Sequence, residues 1–335
     1  MAEDSHRSSV LFESPDRSLI VLDIPASLEE SQVLPSQTPR RRIVSAEPPA
    51  APYPTPEPSR YGGGDRSALT SPAAQLAELM TAATVSSALE DLSNSYSYSG
   101  PFHRDRLVQP QPQSSAAISV LPPLIPDKAK PLHGSVEALS DSFHNSAPKF
   151  DLVILDPPWP NRSVRRKKDN YATVSNLIEM SNLLLQIPLA AHLTPDGLVA
   201  VWITNKHSIH DFLTSPTGLF ASWGLEFVTE WTWLKVAASG EPLYDIESTW
   251  RKPWEKLIIA KRIGSEKPET LKTKVIVAVP DVHSRKPNLR DLFQDVLGKD
   301  CLGLEIFARN LTAGWWSWGN EVLRFQQAEH WKDIE

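Results

Sequence analysis

The sequence predicts an α/β domain with a mainly parallel sheet in the C-terminal part of the chain, preceded by a largely disordered N-terminal region. In the C-terminal part, short apolar runs such as 150–156 alternate with segments of helical spacing, as in sheets whose strands are buried on both faces. All 11 tryptophans lie from Trp159 onward, whereas 19 of the 30 prolines lie before residue 150. A segment poor in large apolar side chains cannot offset the entropy lost on ordering its backbone.

The predicted elements alternate between strand and helix, which favours a parallel sheet. We divide the chain into a mostly disordered Pro/Ser-rich region (1–100), a transitional segment (101–148) and the folded domain (149–335). One helix is predicted in the N-terminal region, at 74–92. The predicted strands of the domain are 150–156, 198–204, 225–234, 256–261, 274–279 and 302–307, and the predicted helices are 176–191, 206–221, 287–297 and one that opens near Asn320 after a tryptophan-rich loop.

Charge, cysteine content and hydropathy narrow the class of protein. The net charge of −6 gives no overall basic surface, so contact with nucleic acid requires a local patch. The single cysteine, Cys301, excludes an internal disulfide and a cysteine-built zinc site. Without a long apolar span or a signal peptide, we expect a soluble protein of nucleus or cytoplasm, with the nucleus favoured and no membrane contact. We find no metal-ligand spacing among His207, His210 and His283, and we expect no metal.

The chemistry is predicted at Asp156-Pro157-Pro158-Trp159, directly after the first strand of the domain. Two prolines stiffen this turn and remove two backbone donors. The Asp156 carboxylate and the Pro157 carbonyl can accept the two N–H groups of an exocyclic amine, whose lone pair then points out of the ring plane. Trp159 offers a face on which a base can stack. The alternative is a rigid turn in which Asp156 only caps the backbone.

Four positive charges, at positions 162, 165, 166 and 167, follow this turn within eight residues. A run of this kind next to a pocket is suited to binding phosphate, and the alternative is a solvated surface. The candidate residues for binding nucleic acid are Asn161, Arg162, Arg165, Arg166 and Lys167.

The segment from about Phe150 to Trp331 resembles the eukaryotic adenine-N6 methyltransferases related to the large subunit of the messenger-RNA adenosine methyltransferase. It is most similar to the branch called methyltransferase-like protein four. The motifs that carry the resemblance occur in the order typical of that family and cover most of the domain; they are 150–159, 161–165, 202–205, 283–287, 305–311 and 314–322.

This resemblance implies a Rossmann-like, S-adenosylmethionine-dependent methyltransferase domain with permuted motif order, in which the catalytic motif precedes the main cofactor segment. It implies that Lys286 pairs with the methionine carboxylate of the cofactor. Glu305 is either a site residue or the structural partner of a nearby cation. The residues implied to contact the ribose and nearby groups are Arg309, Asn310, Asn320 and Glu321.

One departure from the family pattern lies before the catalytic strand, where Ser135-Val136 stands in place of an acidic-apolar pair that contacts the cofactor. The resemblance favours an enzyme that methylates the N6 amino group of adenine in small nuclear RNA, messenger RNA or DNA. The alternatives are a catalytically silent, nucleic-acid-binding partner subunit and a methyltransferase of protein glutamine. The N-terminal region is a possible binding segment for a protein partner.

Overall fold

The structure is a computed structural model that describes residues 9–54, 71–96, 101–109, 121–160, 176–248 and 251–334. Its strands are β1 (Val10–Glu13), β2 (Leu19–Leu22), β3 (Arg41–Ser45), β4 (Leu107–Val108), β5 (Lys130–His133), β6 (Phe150–Leu155), β7 (Leu193–Ile203), β8 (Leu225–Lys235), β9 (Trp254–Arg262), β10 (Lys274–Ala278), β11 (Gly303–Ile306), β12 (Trp316–Gly319) and β13 (Trp331–Asp333). Its α-helices are α1 (Ile24–Ser31), α2 (Pro72–Ser95), α3 (Val136–Ser146), α4 (Leu177–Leu185), α5 (Leu189–His192), α6 (His207–Thr214), α7 (Leu219–Ser222) and α8 (Arg290–Leu297).

Ten of these strands form one sheet, in the order β1-β2-β10-β8-β9-β7-β6-β11-β12-β5. Strand β9 runs antiparallel to both β7 and β8, and β1 runs antiparallel to β2. The other neighbouring strands of this sheet are parallel. The described chain is therefore a mixed α/β protein with a mainly parallel sheet, as predicted.

The central strands are buried on both faces of the sheet. Along β7, Val199, Val201 and Ile203 pack on one face with residues of helices α3 to α7. The alternate residues Leu198, Ala200 and Trp202 pack on the other face with residues of α1 and α8. Because successive side chains of a strand point to opposite faces, a strand between two helical layers is apolar at every position. This explains why continuous apolar runs located the central strands.

The predicted helices are shorter in the structure. The helix predicted at 176–191 is divided into α4 and α5, with Pro188 immediately before α5. The helix predicted at 206–221 is divided into α6 and α7. The helix predicted to open near Asn320 is wrong: the tryptophan-rich segment contains β12, and a short 3-10 helix follows at Arg324–Gln326.

The prediction that residues 1–100 are mostly disordered is wrong for the described residues 9–54 and 71–96. Strand β2 is buried at all four positions and pairs in parallel with β10, so the N-terminal segment extends the main sheet. The transitional segment also contributes, because β5 pairs with β12. The prediction used the average composition of residues 1–100 and so overlooked short apolar runs within them. Such runs need no core of their own, because they pack on a sheet that the rest of the chain builds. Residues 1–8, 55–70 and 97–100 lie outside the described residues.

Two contacts hold the N-terminal helices in place. The buried Arg290 donates from Nη1 to the carbonyl of Val33 at 2.8 Å and from Nη2 to the carbonyl of Glu30 at 2.8 Å, satisfying carbonyls at the end of α1. The helix predicted at 74–92 is confirmed as α2, which packs Val85 and Leu92 against strands of the sheet.

None of the helices in the described ranges is both long enough and apolar enough to cross a membrane.

Candidate active site

The tetrapeptide Asp156-Pro157-Pro158-Trp159 leaves the sheet at the carboxyl end of β6, between β7 and β11. The Asp156 amide donates to the carbonyl of Ile306 at 3.3 Å, which fixes the start of the turn to the neighbouring strand. The Trp159 amide donates to the carbonyl of Pro157 at 2.8 Å. A carbonyl oxygen has two lone pairs, so Pro157 can accept one further hydrogen bond. The turn thus carries two acceptors, the Asp156 carboxylate and the Pro157 carbonyl, and their role toward an amine stays a prediction.

The indole of Trp159 is held in one orientation. Its Nε1 donates to the carbonyl of Trp202 at 2.7 Å, and the ring of Phe212 packs edge-on with the two centroids 6.2 Å apart. The ring also packs against the apolar layer of helices α3 to α7. Trp159 therefore has a packing role, and its base-stacking role stays a prediction.

Each oxygen of the Asp156 carboxylate lies near a different cation. Lys286 Nζ is 3.2 Å from Oδ1, and Arg309 Nη1 is 3.4 Å from Oδ2. These side chains are largely buried, with 16 %, 20 % and 17 % of the Asp156, Lys286 and Arg309 side chains exposed. Partial burial strengthens ion pairs, because less water separates and screens the charges. The structure thus brings together residues that lie up to 153 positions apart in the chain.

Glu255 is a site residue that the sequence analysis missed. Its Oε2 lies 2.7 Å from Lys286 Nζ, and its Oε1 accepts a hydrogen bond from Lys235. Burial alone raises the pKa of Glu255, but the two lysines outweigh burial and hold that pKa at about 2. Burial likewise opposes the charge of Lys286, and Asp156 and Glu255 outweigh it and raise the lysine pKa. The pairing of β8 with β9 brings Glu255 and Lys235 together, and their register is not visible in the sequence.

The cofactor residues implied by the family resemblance lie at the same edge. Arg309 Nε is 3.1 Å from Glu321 Oε2, so Arg309 connects Glu321 to Asp156. Asn320 directly follows β12, and its carbonyl lies 2.9 Å from His133 Nε2. Asn310 lines a small cavity together with Lys286, Trp202 and Glu305. The structure places Lys286, Arg309, Asn310, Asn320 and Glu321 around the carboxyl ends of neighbouring strands.

Glu305 lies on β11 next to this group. Burial first, and then the negative charge of Asp156, raise its pKa to about 7, while Arg309 opposes the shift. Its side chain lines the same small cavity as Lys286 and Asn310, and its role as a site residue stays a prediction.

Ser135 and Val136 have structural roles in this chain. The Ser135 hydroxyl accepts a hydrogen bond from the Ala138 amide at 3.1 Å and caps α3. Val136 is buried in the core. The segment follows β5 at the same edge of the sheet.

The predicted residues for binding nucleic acid, Asn161, Arg162, Arg165, Arg166 and Lys167, lie outside the described residues. The last described residue before them is Pro160, whose carbonyl accepts a hydrogen bond from Lys206 Nζ at 2.6 Å. Lys206 therefore holds the segment that leads from the catalytic turn into the basic run.

The statement that the histidines lack metal-ligand spacing is wrong for His207 and His210. A ligand atom from each of these residues and one from Asp211 all lie within 4.8 Å of one another. The prediction considered the histidines without the neighbouring carboxylate and so missed this cluster. At the catalytic edge, the absence of a metal stays a prediction.

Comparison with known proteins places this sequence in a family. Residues 150–321 match the model of the MT-A70 family. The chain is 51% identical over 331 residues to a Cryphonectria parasitica protein named N6-methyladenosine RNA methyltransferase MTA1, covering 96% of this chain and 94% of that one. It is 40% identical over 369 residues to the Pyricularia oryzae protein of the same name, covering 97% and 96%. It is 35% identical over 224 residues to human N(6)-adenine-specific methyltransferase METTL4, covering 63% and 45%.

The family match spans the catalytic tetrapeptide, Lys286, Arg309 and Glu321, which are the residues that the structure gathers at one edge of the sheet. The resemblance predicted from the sequence motifs is confirmed. The chain belongs to the MT-A70 family of methyltransferases.

Proposed function

We propose that this protein transfers a methyl group from S-adenosylmethionine to the exocyclic N6 of adenine in RNA or DNA. The observation that carries this proposal is the Asp156 carboxylate, set on a stiff turn at the carboxyl edge of a mainly parallel sheet between Lys286 and Arg309. Ligands of open α/β sheets bind at this edge. Membership of the MT-A70 family and the printed names of the relatives support the same activity.

In this mechanism Asp156 and Pro157 orient the target amine. One N–H of the amine donates to the carboxylate and the other to the Pro157 carbonyl, which keeps a lone pair although it already accepts from Trp159. The amine nitrogen then directs its own lone pair out of the base plane. The Asp156 carboxylate would stabilise the positive charge that develops on this nitrogen and would accept the proton that the methylated amine releases, with S-adenosylhomocysteine as the leaving product. Such positioning of the reacting groups lowers the barrier without a covalent intermediate on the protein.

The residues at the edge fit the chemical groups of S-adenosylmethionine. The ammonium of Lys286 suits a carboxylate, and Asn310, Asn320 and Glu321 offer amide and carboxylate groups that bind ribose hydroxyls. Lys286, Asn310 and Glu305 line the same small cavity, so these three polar side chains lie next to one another on this side of the turn. When bound, the cofactor supplies an electrophilic methyl group. The Ser135 hydroxyl is used as a helix cap, so cofactor binding in this chain relies on the other residues.

The order of motifs along the chain supports a permuted Rossmann-like domain. The catalytic strand β6 comes before Lys286, Arg309 and Asn320, and it lies between β7 and β11 in the sheet. No glycine-rich G-x-G-x-x-G segment precedes β6 in the sequence. We infer that the cofactor segment follows the catalytic motif in this fold.

We further propose that Asn161, Arg162, Arg165, Arg166 and Lys167 bind the substrate backbone, since they directly follow the catalytic turn. The relative with 51% identity carries the name of an RNA methyltransferase, which favours RNA. A nuclear or cytoplasmic location, with the nucleus favoured, and a protein partner for the N-terminal region stay predictions. A catalytically silent role is not favoured, because the catalytic tetrapeptide and its cationic neighbours are all present.

The proposal is tested by incubating the purified protein with methyl-labelled cofactor and with matched RNA and DNA oligonucleotides that contain adenine. Nucleoside mass spectrometry then locates the label. The expected product is N6-methyladenosine or its deoxy counterpart. Label on another base, on a sugar hydroxyl or on protein glutamine would contradict the proposed activity.

A further inference from the structure

Helix α6 carries a cluster of metal-binding side chains outside the candidate active site. His207, His210 and Asp211 stand at positions i, i+3 and i+4, which share one side of a helix. Their ligand atoms all lie within 4.8 Å of one another. His207 Nε2 is 3.3 Å from Asp211 Oδ2, and His210 Nδ1 is 3.9 Å from Asp211 Oδ1. Two atoms that each lie about 2.0 Å from a tetrahedral zinc ion are about 3.3 Å apart.

The two imidazole rings are already oriented alike. Their planes are within 4° of parallel, with the centroids 6.0 Å apart. The ring of Phe227 packs edge-on against His210 at 6.1 Å and limits its rotation. The Thr214 hydroxyl lies 3.3 Å from His210 Nδ1 and 3.0 Å from the His210 carbonyl. This hydroxyl can donate to the carbonyl while the imidazole binds an ion, so the contact does not compete with a metal.

The cluster is accessible to an ion from solvent. Of the side chains of His207, His210 and Asp211, 29 %, 31 % and 59 % are exposed. Both histidines also line a groove of 360 Å³ between α6 and α2, and Glu230 and Thr232 lie in the same groove. An ion held by three protein ligands here has open positions for water. The positive end of the helix dipole opposes a cation at the start of α6, and the Asp211 carboxylate offsets it.

We propose that His207, His210 and Asp211 bind one divalent transition-metal ion of the zinc class, with water completing its coordination. Two imidazoles and one carboxylate form a known three-residue donor set for zinc, and imidazole also suits copper and nickel. The alternative is an ordinary ion pair between His207 and Asp211 on a helix surface. That alternative needs no contribution from His210.

The position of the cluster gives the ion a structural consequence. Lys206 directly precedes α6 and donates from Nζ to the Pro160 carbonyl, next to the catalytic tetrapeptide. An ion that fixes the first turn of α6 therefore also restricts Lys206, which contacts the segment next to the tetrapeptide. We expect metal binding to raise the unfolding temperature of the protein, since a ligand that binds only the folded state stabilises it.

The test uses the full-length chain without an affinity tag, stripped of metal with a chelator and titrated with zinc chloride in a calorimeter. The expected result is one saturable site per chain. His207→Ala and His210→Ala should each weaken zinc affinity at least about tenfold, because each removes a ligand. Asp211→Ala should weaken it too, and Asp211→His should restore it by supplying another ligand. His144→Ala, which removes an exposed histidine elsewhere, is the matched control and should bind as the wild type does.

Cobalt chloride provides a second readout, because a cobalt ion in a tetrahedral protein site absorbs visible light more strongly and at longer wavelength than the hydrated ion does. Circular dichroism of the metal-free variants shows whether each one is folded. The proposal is overturned if the wild type shows no saturable zinc binding, or if the His207→Ala/His210→Ala variant keeps the wild-type affinity. Neither measurement uses the cofactor or nucleic acid, so failure of this proposal is independent of the proposed methyl transfer.

Discussion

Lys286 and Asp156 form an ion pair across the carboxyl edge of the sheet, with Nζ 3.2 Å from Oδ1. The same ammonium lies 2.7 Å from Glu255 Oε2. An ammonium has three N–H donors, so among the described residues two are used by these carboxylates and one is left for a third acceptor. The carboxylate of the cofactor is the acceptor that we propose. Lys286 thereby connects the proposed cofactor site to the residue that orients the target amine.

The first prediction concerns this lysine. Lys286→Met should weaken binding of S-adenosylmethionine at least about tenfold, because a charged hydrogen bond of about 1.5–3 kcal/mol is lost. Isothermal titration calorimetry measures the affinity. Lys261→Met is the matched control, since Lys261 pairs with the exposed Glu226 near the far end of β9. Equal cofactor affinity in both variants would show that Lys286 does not contact the cofactor.

The second prediction concerns Glu255. Glu255→Gln leaves Lys235 and Lys286 next to each other without the carboxylate between them, and should cost about 3 kcal/mol of unfolding free energy at neutral pH. The folded-state pKa of about 2 lies below the ordinary value of 4.5. The carboxylate therefore stabilises the fold above the ordinary value and loses that effect as pH falls through the folded value. Urea unfolding between pH 5 and pH 3 should show a smaller loss of stability in the variant than in the wild type. Equal losses would argue against the lysine–glutamate contacts.

The third prediction concerns Glu305, whose pKa is shifted in the opposite direction to that of Glu255. The pKa of Glu305 is raised from 4.5 to about 7, so the unfolded chain releases this proton at lower pH than the folded protein does. Glu305 therefore makes wild-type stability fall as pH rises from about 4.5 to 7. Glu305→Gln removes this pH dependence. As pH rises from 5 to 8, the unfolding free energy of the variant should therefore increase by up to about 3 kcal/mol relative to that of the wild type. The unfolding free energies of both proteins are measured in urea at pH 5 and pH 8. The same change with pH in the variant and the wild type would rule out the raised pKa.

The fourth prediction concerns the N-terminal segment. Ile20 lies on β2 and is fully buried in the core between the sheet and α1. Ile20→Ala should destabilise the protein by about 3 kcal/mol through lost burial and a cavity. Leu79→Ala on α2, where 67% of the leucine is exposed, should change stability by less than about 0.5 kcal/mol. The unfolding free energies of the two variants are compared by urea unfolding, with tryptophan fluorescence as the signal. An effect at Ile20 as small as that at Leu79 would support the original expectation of disorder.

The sequence predicted the central strands because each one is buried on both faces and reads as a continuous apolar run. It predicted Asp156 because the acidic, proline and aromatic residues of the tetrapeptide follow such a run directly. Strand β12 was missed because its four residues, Trp316–Gly319, lie within a tryptophan-rich segment that also suits loop packing.

Glu255 and the N-terminal strands were missed for a different reason. The contact between Glu255 and Lys235 depends on the register of two antiparallel strands, which a single sequence does not specify. Strand β2 joins the main sheet because it pairs with β10, which lies more than 250 residues away in the chain. Both depend on long-range pairing, whereas composition and periodicity describe local properties.

The most direct test of the account is the rate of methyl transfer by Asp156→Asn, measured under single-turnover conditions with cofactor affinity determined on the same samples. The amide keeps the shape of the side chain but lacks the negative charge and one acceptor oxygen. Since Lys286 keeps its contact with Glu255, we expect a folded protein that still binds S-adenosylmethionine. The rate of N6-methyladenine formation should fall at least about 100-fold, as expected when the reacting amine loses its orientation. A variant that binds the cofactor normally and keeps more than a tenth of the wild-type rate would contradict the central role of Asp156.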